Sequence, residues 1–291
     1  MRVNTNISSL IAQEAATNTD NRINSSLEKL GSGQRINKAS DDASGLAIAD
    51  KLRTQKNSIG QSIDNANSAV AMIQIADKAM AEQSNILDTV KQKLIQAATS
   101  TTSDDGRVSI AKDINKLLTQ LDDIAVQTNY NGRVLLQESD NSTDQSSALV
   151  FQMGEDSNDT IETSGGIQSN TKGLGKDASD NLSDLKDDTS GDASHFDQDA
   201  AKNYLETIDL ALNDLNTMRS DFGSTQVQIE SATRNLMTSK TNIAAAESII
   251  RDVDYASETA NFNKQSIIGQ SSTYAQTQAN AAPQSVLKLL Q

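Results

Sequence analysis

Apolar residues recur every seven positions through the C-terminal third of the chain. Counting from Ile208, the series runs Leu215, Phe222, Ile229, Leu236, Ile243 and Ile250. Three residues after each of the first six lie Ala211, Met218, Thr225, Ala232, Ser239 and Ala246, which are mostly small. A strict seven-residue repeat of this length predicts a long helix with a gentle left-handed supercoil. The small residues let a neighbouring helix approach closely.

The N-terminal half offers that neighbour. Leu46, Ile48 and Leu52 begin a helical pattern, and Ile59, Ile63, Ala66, Val70 and Ile73 continue it at alternating spacings of four and three. Leu87, Val90, Leu94 and Ala97 resume it after what reads as a small phase shift. A break rich in Ser, Thr and Asp follows, from Ser100 to Gly106. Then Ile110, Ile114, Leu117, Leu118, Leu121 and Ile124 mark another amphipathic helix, closed by a turn at Asn131-Gly132. Three helices, roughly 46–99, 107–128 and 201–250, are expected to bundle.

The texture between them differs. Ala148 to Met153 is short, apolar and bounded by Gly154, which suits a strand, and Thr160 to Thr163 could pair with it. Residues 175–200 are rich in Asp, Ser and Gly and read as a solvated linker or a very small excursion. The fold class expected is mainly α: a long antiparallel helical bundle or coiled coil with a small β-hairpin near 147–163.

The two ends form a third kind of segment. Val3, Ile7, Leu10 and Ile11 give an apolar edge, continued by Ile23, Leu27 and Leu30. At the far end Phe262, Ile267, Ile268, Tyr274, Val286, Leu287, Leu289 and Leu290 are spaced by Ala, Ser, Gln and Asn. Each end is expected to form an amphipathic helix that buries too little to be stable alone. About 40 residues of helix reach about 60 Å, too far to fold back onto a small domain. The apolar faces therefore call for each other and for the same segments of further copies, so that the ends order on polymerisation.

Composition sharpens this picture. The chain of 291 residues has no Trp, one Pro and 3% aromatic residues. It lacks the large side chains that fill thick cores, which favours long, thin helical packing. The net charge is -14. Residues 140–199 hold fourteen acidic and three basic side chains, hence -11 of it, and leave -3 for both flanks. Nucleic acid is excluded as a partner, and an anionic membrane surface is disfavoured. No cysteine is present, so there is no disulfide, thiolate metal site or Cys nucleophile. Met1 to Asp20 has neither the apolar run nor the cleavage pattern of a Sec signal peptide, and no window approaches a membrane span.

No catalytic constellation stands out. His195 is the only histidine, in an acidic Gly/Ser-rich setting, and reads as a solvent residue. Gly31-Ser32-Gly33 and Gly173-Leu174-Gly175 lack the following Lys-Ser/Thr of a phosphate loop and read as turns. Asp252 and Asp254 lack the Gly and terminal Glu of a calcium loop and read as caps at a helix junction. The acidic run from Asp184 to Asp188 reads as a solvated face. Asn141-Ser142-Thr143 and Asn158-Asp159-Thr160 fit a glycosylation pattern that is common by chance. No cofactor or metal is called for, and an enzyme is not expected.

Several long segments resemble bacterial flagellins. They are MRVNTNISSL and LEKLGSGQRINKASDDASGLAIADKLR in the N-terminal arm, then RSDFGSTQVQIESATRNL and AAESIIRDVDYASETANFNKQSIIGQSSTYAQTQANAAPQSVLKLLQ in the C-terminal arm. LVFQMGEDSNDTIETSGG is similar to the hairpin of the flagellin stem. The resemblance covers roughly 1–175 and 200–291 and is to short flagellins, like those of Campylobacter and its relatives. It implies a structural subunit of the flagellar filament, a self-assembling extracellular propeller. Residues 1–42 and 252–291 would form the inner tube. Residues 43–175 and 200–251 would form the stem, and 176–199 a short acidic surface linker in place of outer domains. It also implies export by the flagellar type III apparatus, an export chaperone at the C-terminal segment, and filament cap and hook-junction partners. A hook–filament junction adaptor, or a surface adhesin or immune ligand, is the alternative reading. Where some flagellins meet Toll-like receptor 5 through Arg, Leu and Glu, this chain has Thr89, Lys93 and Asp113, so weak or no recognition is expected. Ser and Thr between Ser139 and Ser194 are candidate O-glycan acceptors.

Overall fold

The computed structural model describes residues 5–137, 148–165, 167–175, 182–190 and 196–289, with side chains through 282. Val3, His195, the sequon at Asn141 and the side chains of Val286, Leu287, Leu289 and Leu290 lie outside the described residues. Among the described residues six helices and four short strands follow in order: α1 (Ile7–Ser32), α2 (Ala43–Ala97), α3 (Asp104–Gln127), β1 (Asn129–Tyr130), β2 (Arg133–Val134), β3 (Val150–Gln152), β4 (Thr160–Glu162), α4 (Leu182–Asp188), α5 (Gln198–Arg251) and α6 (Tyr255–Leu289). The chain divides into two units, Ser58–Ser239 and Met1–Asn57 with Lys240–Gln291. Both α2 and α5 contribute to each.

The unit 58–239 is built on α2, α3 and α5. In α5, Ile208, Leu215, Phe222 and Ile229 are buried, while Leu236 is only partly covered. Along α2 the buried positions run Ala69, Ile73, Ala76, Met80, Gln83, Leu87, Val90, Leu94 and Ala97. The spacing alternates four and three throughout, so the phase shift read from the sequence is absent. Met80 and Gln83 carry the repeat across the place where apolar residues thin out. The break after α2 is capped from both sides. Ser103 accepts the Gly106 N–H at 3.2 Å to start α3, with Asp104 and Asp105 in the first turn favouring its positive end. Arg107 donates to the Ala97 and Thr99 carbonyls at 3.0 and 3.2 Å, closing α2.

Asn131 and Gly132 both have positive φ, 51° and 81°, which suits a tight hairpin turn joining β1 to β2. The strands β3 and β4 pair antiparallel, with Phe151 opposite Ile161 and both buried. The Thr163 N–H reaches the Leu149 carbonyl at 3.0 Å. Of the two readings of residues 175–200, a solvated linker or a very small excursion, the described residues favour the second. The acidic stretch contains α4, whose Leu182 and Leu185 are fully buried. Two leucines three residues apart share a helix face, and that face docks while the acidic side chains stay outside. Asn115 holds α4 in place by donating to the Lys186 carbonyl at 2.8 Å.

Candidate assembly surface

The unit formed by 1–57 and 240–291 is organised by α1 packed along α6. Asn6 Nδ2 donates to the Ala279 carbonyl at 2.8 Å, and Ser26 Oγ donates to Glu258. These pairs show that the helices run antiparallel. The less exposed positions of α1 are Ser9, Ala12, Ala16, Thr19, Ile23, Ser26 and Leu30. Those of α6 are Glu258, Phe262, Gln265, Gly269, Ser272, Gln276 and Ala279. Both series step by four and three, so this is a coiled-coil seam. Its members are nonetheless mostly small or polar. A Cβ on Gly269 would lie 3.4 Å from Ile23 Cδ1 and 3.6 Å from Thr19 Cγ2, so the two backbones approach closely there.

The large apolar residues lie mostly elsewhere. Ile7, Leu10, Ile11, Ile267 and Tyr274 are 58%, 56%, 62%, 64% and 74% exposed. Measured in heptads from the seam, all five occupy the face turned away from the partner helix. Leu27 and Ile268 are exposed on its flanks. Thus the set picked from the sequence divides. Ile23, Leu30 and Phe262 join α1 to α6 within one subunit, while Ile7, Leu10, Ile11, Leu27, Ile267, Ile268 and Tyr274 present bare apolar surface. The sequence reading missed the seam because a run of Ala, Ser, Thr, Gly and Gln carries no hydrophobic signal. Only the four-and-three spacing of small residues could have revealed it.

The corner leading from α1 into α2 is tied by backbone groups. Gly33 closes α1 with φ 72° and donates to the Lys29 carbonyl at 2.9 Å. A residue with a side chain would be strained in this left-handed conformation. The Val253 N–H donates to the Gly33 carbonyl at 3.0 Å, and the Arg35 N–H to the Arg251 carbonyl at 2.6 Å. Arg35 Nη2 also donates to the Ile250 carbonyl at 2.6 Å, capping α5. Asp41 Oδ2 accepts the N–H groups of Asn37 and Lys38, both at 3.0 Å. Those two bonds, from Lys38 first, hold its carboxyl below the ordinary value. Asp42 accepts the Gly45 N–H at 2.9 Å as α2 begins. Across the corner Lys38 pairs with Glu28 at 2.7 Å, and this bond and charge raise the lysine's pKa. Asp254 accepts the N–H groups of Ala256 and Ser257 at 2.9 and 3.2 Å, starting α6. In the lower part of the α5 series, Ile243 and Ile250 are partly exposed.

Comparison with known proteins places both arms in one family. Residues 3–141 match the bacterial flagellin N-terminal helical region, and residues 205–290 match the bacterial flagellin C-terminal helical region. The chain belongs to the bacterial flagellin family. It is 33% identical over 291 residues to the flagellar filament 30.7 kDa core protein of Treponema maltophilum, covering 100% of both chains. It is 35% identical over 305 residues to the flagellin of Bacillus subtilis (strain 168), again covering 100% of both. The crystal structure of Bacillus cereus flagellin aligns at TM-score 0.47 with 25% identity, over 63% of this chain and 94% of that one. This flagellin is a structural subunit of the flagellar filament. Among its described residues no helix is long and apolar enough to cross a membrane.

Thr89 and Lys93 lie on α2, and Asp113 lies on α3. Lys93 Nζ meets Asp113 Oδ2 at 3.1 Å, an ion pair between the two helices. Thr89 is exposed one turn earlier, and its hydroxyl donates to the Asn85 carbonyl at 2.9 Å. A groove of about 830 Å³ follows α5 beside Ser164, Asn213, Thr217 and Asp221. Asp221 there accepts both the N–H and the hydroxyl of Ser164, at 2.9 and 2.8 Å.

Proposed function

We propose that the outer faces of α1 and α6 are where subunits of the filament cover one another. The observation that carries this reading is the segregation of side chains around the pair. The intramolecular seam takes the small and polar residues, while Ile7, Leu10, Ile11, Ile267 and Tyr274 face outward. Magnitudes favour it too. Ordering the 26 residues of α1 and 35 of α6 costs about 1–2 kcal/mol each, and a seam of Ala, Ser, Thr and Gln returns little. Covering each outward Ile or Leu in a neighbour contributes roughly 1.5–3 kcal/mol more. Repetition along the lattice lets these small gains set the length of the polymer.

On this reading residues 1–42 and 252–291 form the inner tube, and the α2–α3–α5 bundle forms the stem. The subunit works outside the cell as a passive propeller and has no catalytic role. The flagellar type III apparatus exports it, a chaperone shields its C-terminal segment, and hook-junction and cap proteins bound the filament. The Lys93–Asp113 pair supports weak or absent recognition by Toll-like receptor 5. That pair places a buttressed charge where an apolar contact is needed, and Thr89 offers no forked donor. Deleting residues 252–291 tests the scheme. The expected product keeps the helical signal and cooperative unfolding of the 58–239 unit but gives no filaments when seeded. Normal filaments from this truncation would refute it.

A further inference from the structure

Between Ala69 and Ala97 the seam of α2 contains one polar residue. Gln83 is fully buried between Met80 and Leu87. Its Nε2 donates to the carbonyl of Leu121 in α3 at 3.1 Å and to the carbonyl of Ser169 at 2.9 Å. Both partners are acceptors, which fixes the nitrogen end of the amide. The other end, Oε1, is buried without a hydrogen-bond partner in the protein, and so is the hydroxyl of Ser169. Two such atoms therefore belong to residues already joined by a hydrogen bond. Leaving either unanswered costs about 1–3 kcal/mol, and nearly all buried polar atoms in folded proteins are answered by protein or ordered water.

We propose that Gln83 and Ser169 bind one buried water molecule, which ties α2 to α3 and to the segment 167–175. The water donates one hydrogen to Gln83 Oε1 and accepts the hydroxyl hydrogen of Ser169. Each protein atom thereby gains the partner its chemistry requires, an acceptor meeting a donor and a donor meeting an acceptor. Buried water commonly answers polar atoms that the protein leaves without partners, with two to four hydrogen bonds each. The arrangement also discriminates among pairings. A slip of α2 by one heptad would carry Gln83 to the place of Ala76 or Val90, among the apolar residues of the core. A single polar residue in an apolar seam penalises such a slip.

The test uses the full chain in four forms: unchanged, Gln83→Leu, Ser169→Ala, and both together. Urea unfolding followed by helical circular dichroism gives the folding constant of each. A shared water makes the losses interdependent, so the double variant should retain about tenfold more folding constant than the product of the two single losses allows. Losses that simply multiply would overturn the proposal. Gln83→Met replaces Gln83→Leu in the cycle if the latter does not fold. A high-resolution density map of the filament should show a solvent peak within hydrogen-bonding distance of both Gln83 Oε1 and Ser169 Oγ. Direct contact between the two side chains with no peak would likewise overturn it.

Discussion

At the scale of single residues, Asp41 controls more backbone than its exposure suggests. Its carboxylate accepts two N–H groups in the corner between α1 and α2, and they depress its pKa below the ordinary 3.8. A group whose pKa is lower in the folded state stabilises that state above its unfolded value. The contribution is lost as pH falls below 3.8 and through the folded value. Asp41→Asn keeps an acceptor of similar shape and removes the charge. Filaments of this variant should melt at lower temperature than the parent at pH 6, and the gap should narrow on titration toward pH 3. Thermal melting followed by light scattering at the two pH values checks this, and a gap that widens in acid contradicts it. Glu28, Lys38 and Lys29 are the charged neighbours, and the Lys38–Glu28 pair is exposed enough to be screened by salt.

At the scale of elements, the two coiled-coil seams are opposites. In the α2–α3–α5 bundle the seam is mostly apolar, and Phe222 at its centre has no exposure. Phe222→Ala should cost about 3–5 kcal/mol, read as a lower urea midpoint for the 58–239 unit. In the α1–α6 pair the seam is small and polar, and the apolar groups lie outside. Ile267→Asp should therefore leave stem unfolding unchanged and raise the critical concentration for polymerisation at least tenfold, since about 1.4 kcal/mol is a factor of ten. A seeded polymerisation series measures this directly, and an unchanged critical concentration would remove α6 from the assembly surface. The same contrast explains what the sequence made legible. Ile208 to Ile229 could be read because large apolar residues mark every seventh position. The register of α2 was lost where Ala76 and Gln83 stand in seam positions without a hydrophobic signature. The helix α4 was hidden because acidic neighbours diluted Leu182 and Leu185, and burial in the core, which no local pattern encodes, decides their structure. The outward residues of α1 and α6 were visible as apolar, but only the structure separates those facing the partner helix from those facing away.

At the scale of the whole molecule, stability is distributed unequally by design of the surface. The 58–239 unit encloses the buried Leu, Ile, Met and Phe side chains of a continuous core. The α1–α6 pair has two buried side chains on α1, those of Thr19 and Ser26, and Gln265 on the described part of α6. A lone subunit therefore has a firm stem and marginal ends, which suits a chain whose ends complete their folding on the growing polymer. Local opening free energies follow the apolar area each segment covers. In free subunits, amide hydrogens of α1 and α6 should exchange orders of magnitude faster than those of α3 or the central turns of α2. In filaments, protection in α1 and α6 should rise toward the level of the stem, while α3 changes little. Hydrogen exchange read by mass spectrometry on both forms makes the comparison. Equal protection of α1 and the α2 core in the free subunit would mean that the polar seam is sufficient by itself. The outward apolar faces would then have to serve some purpose other than completing the fold.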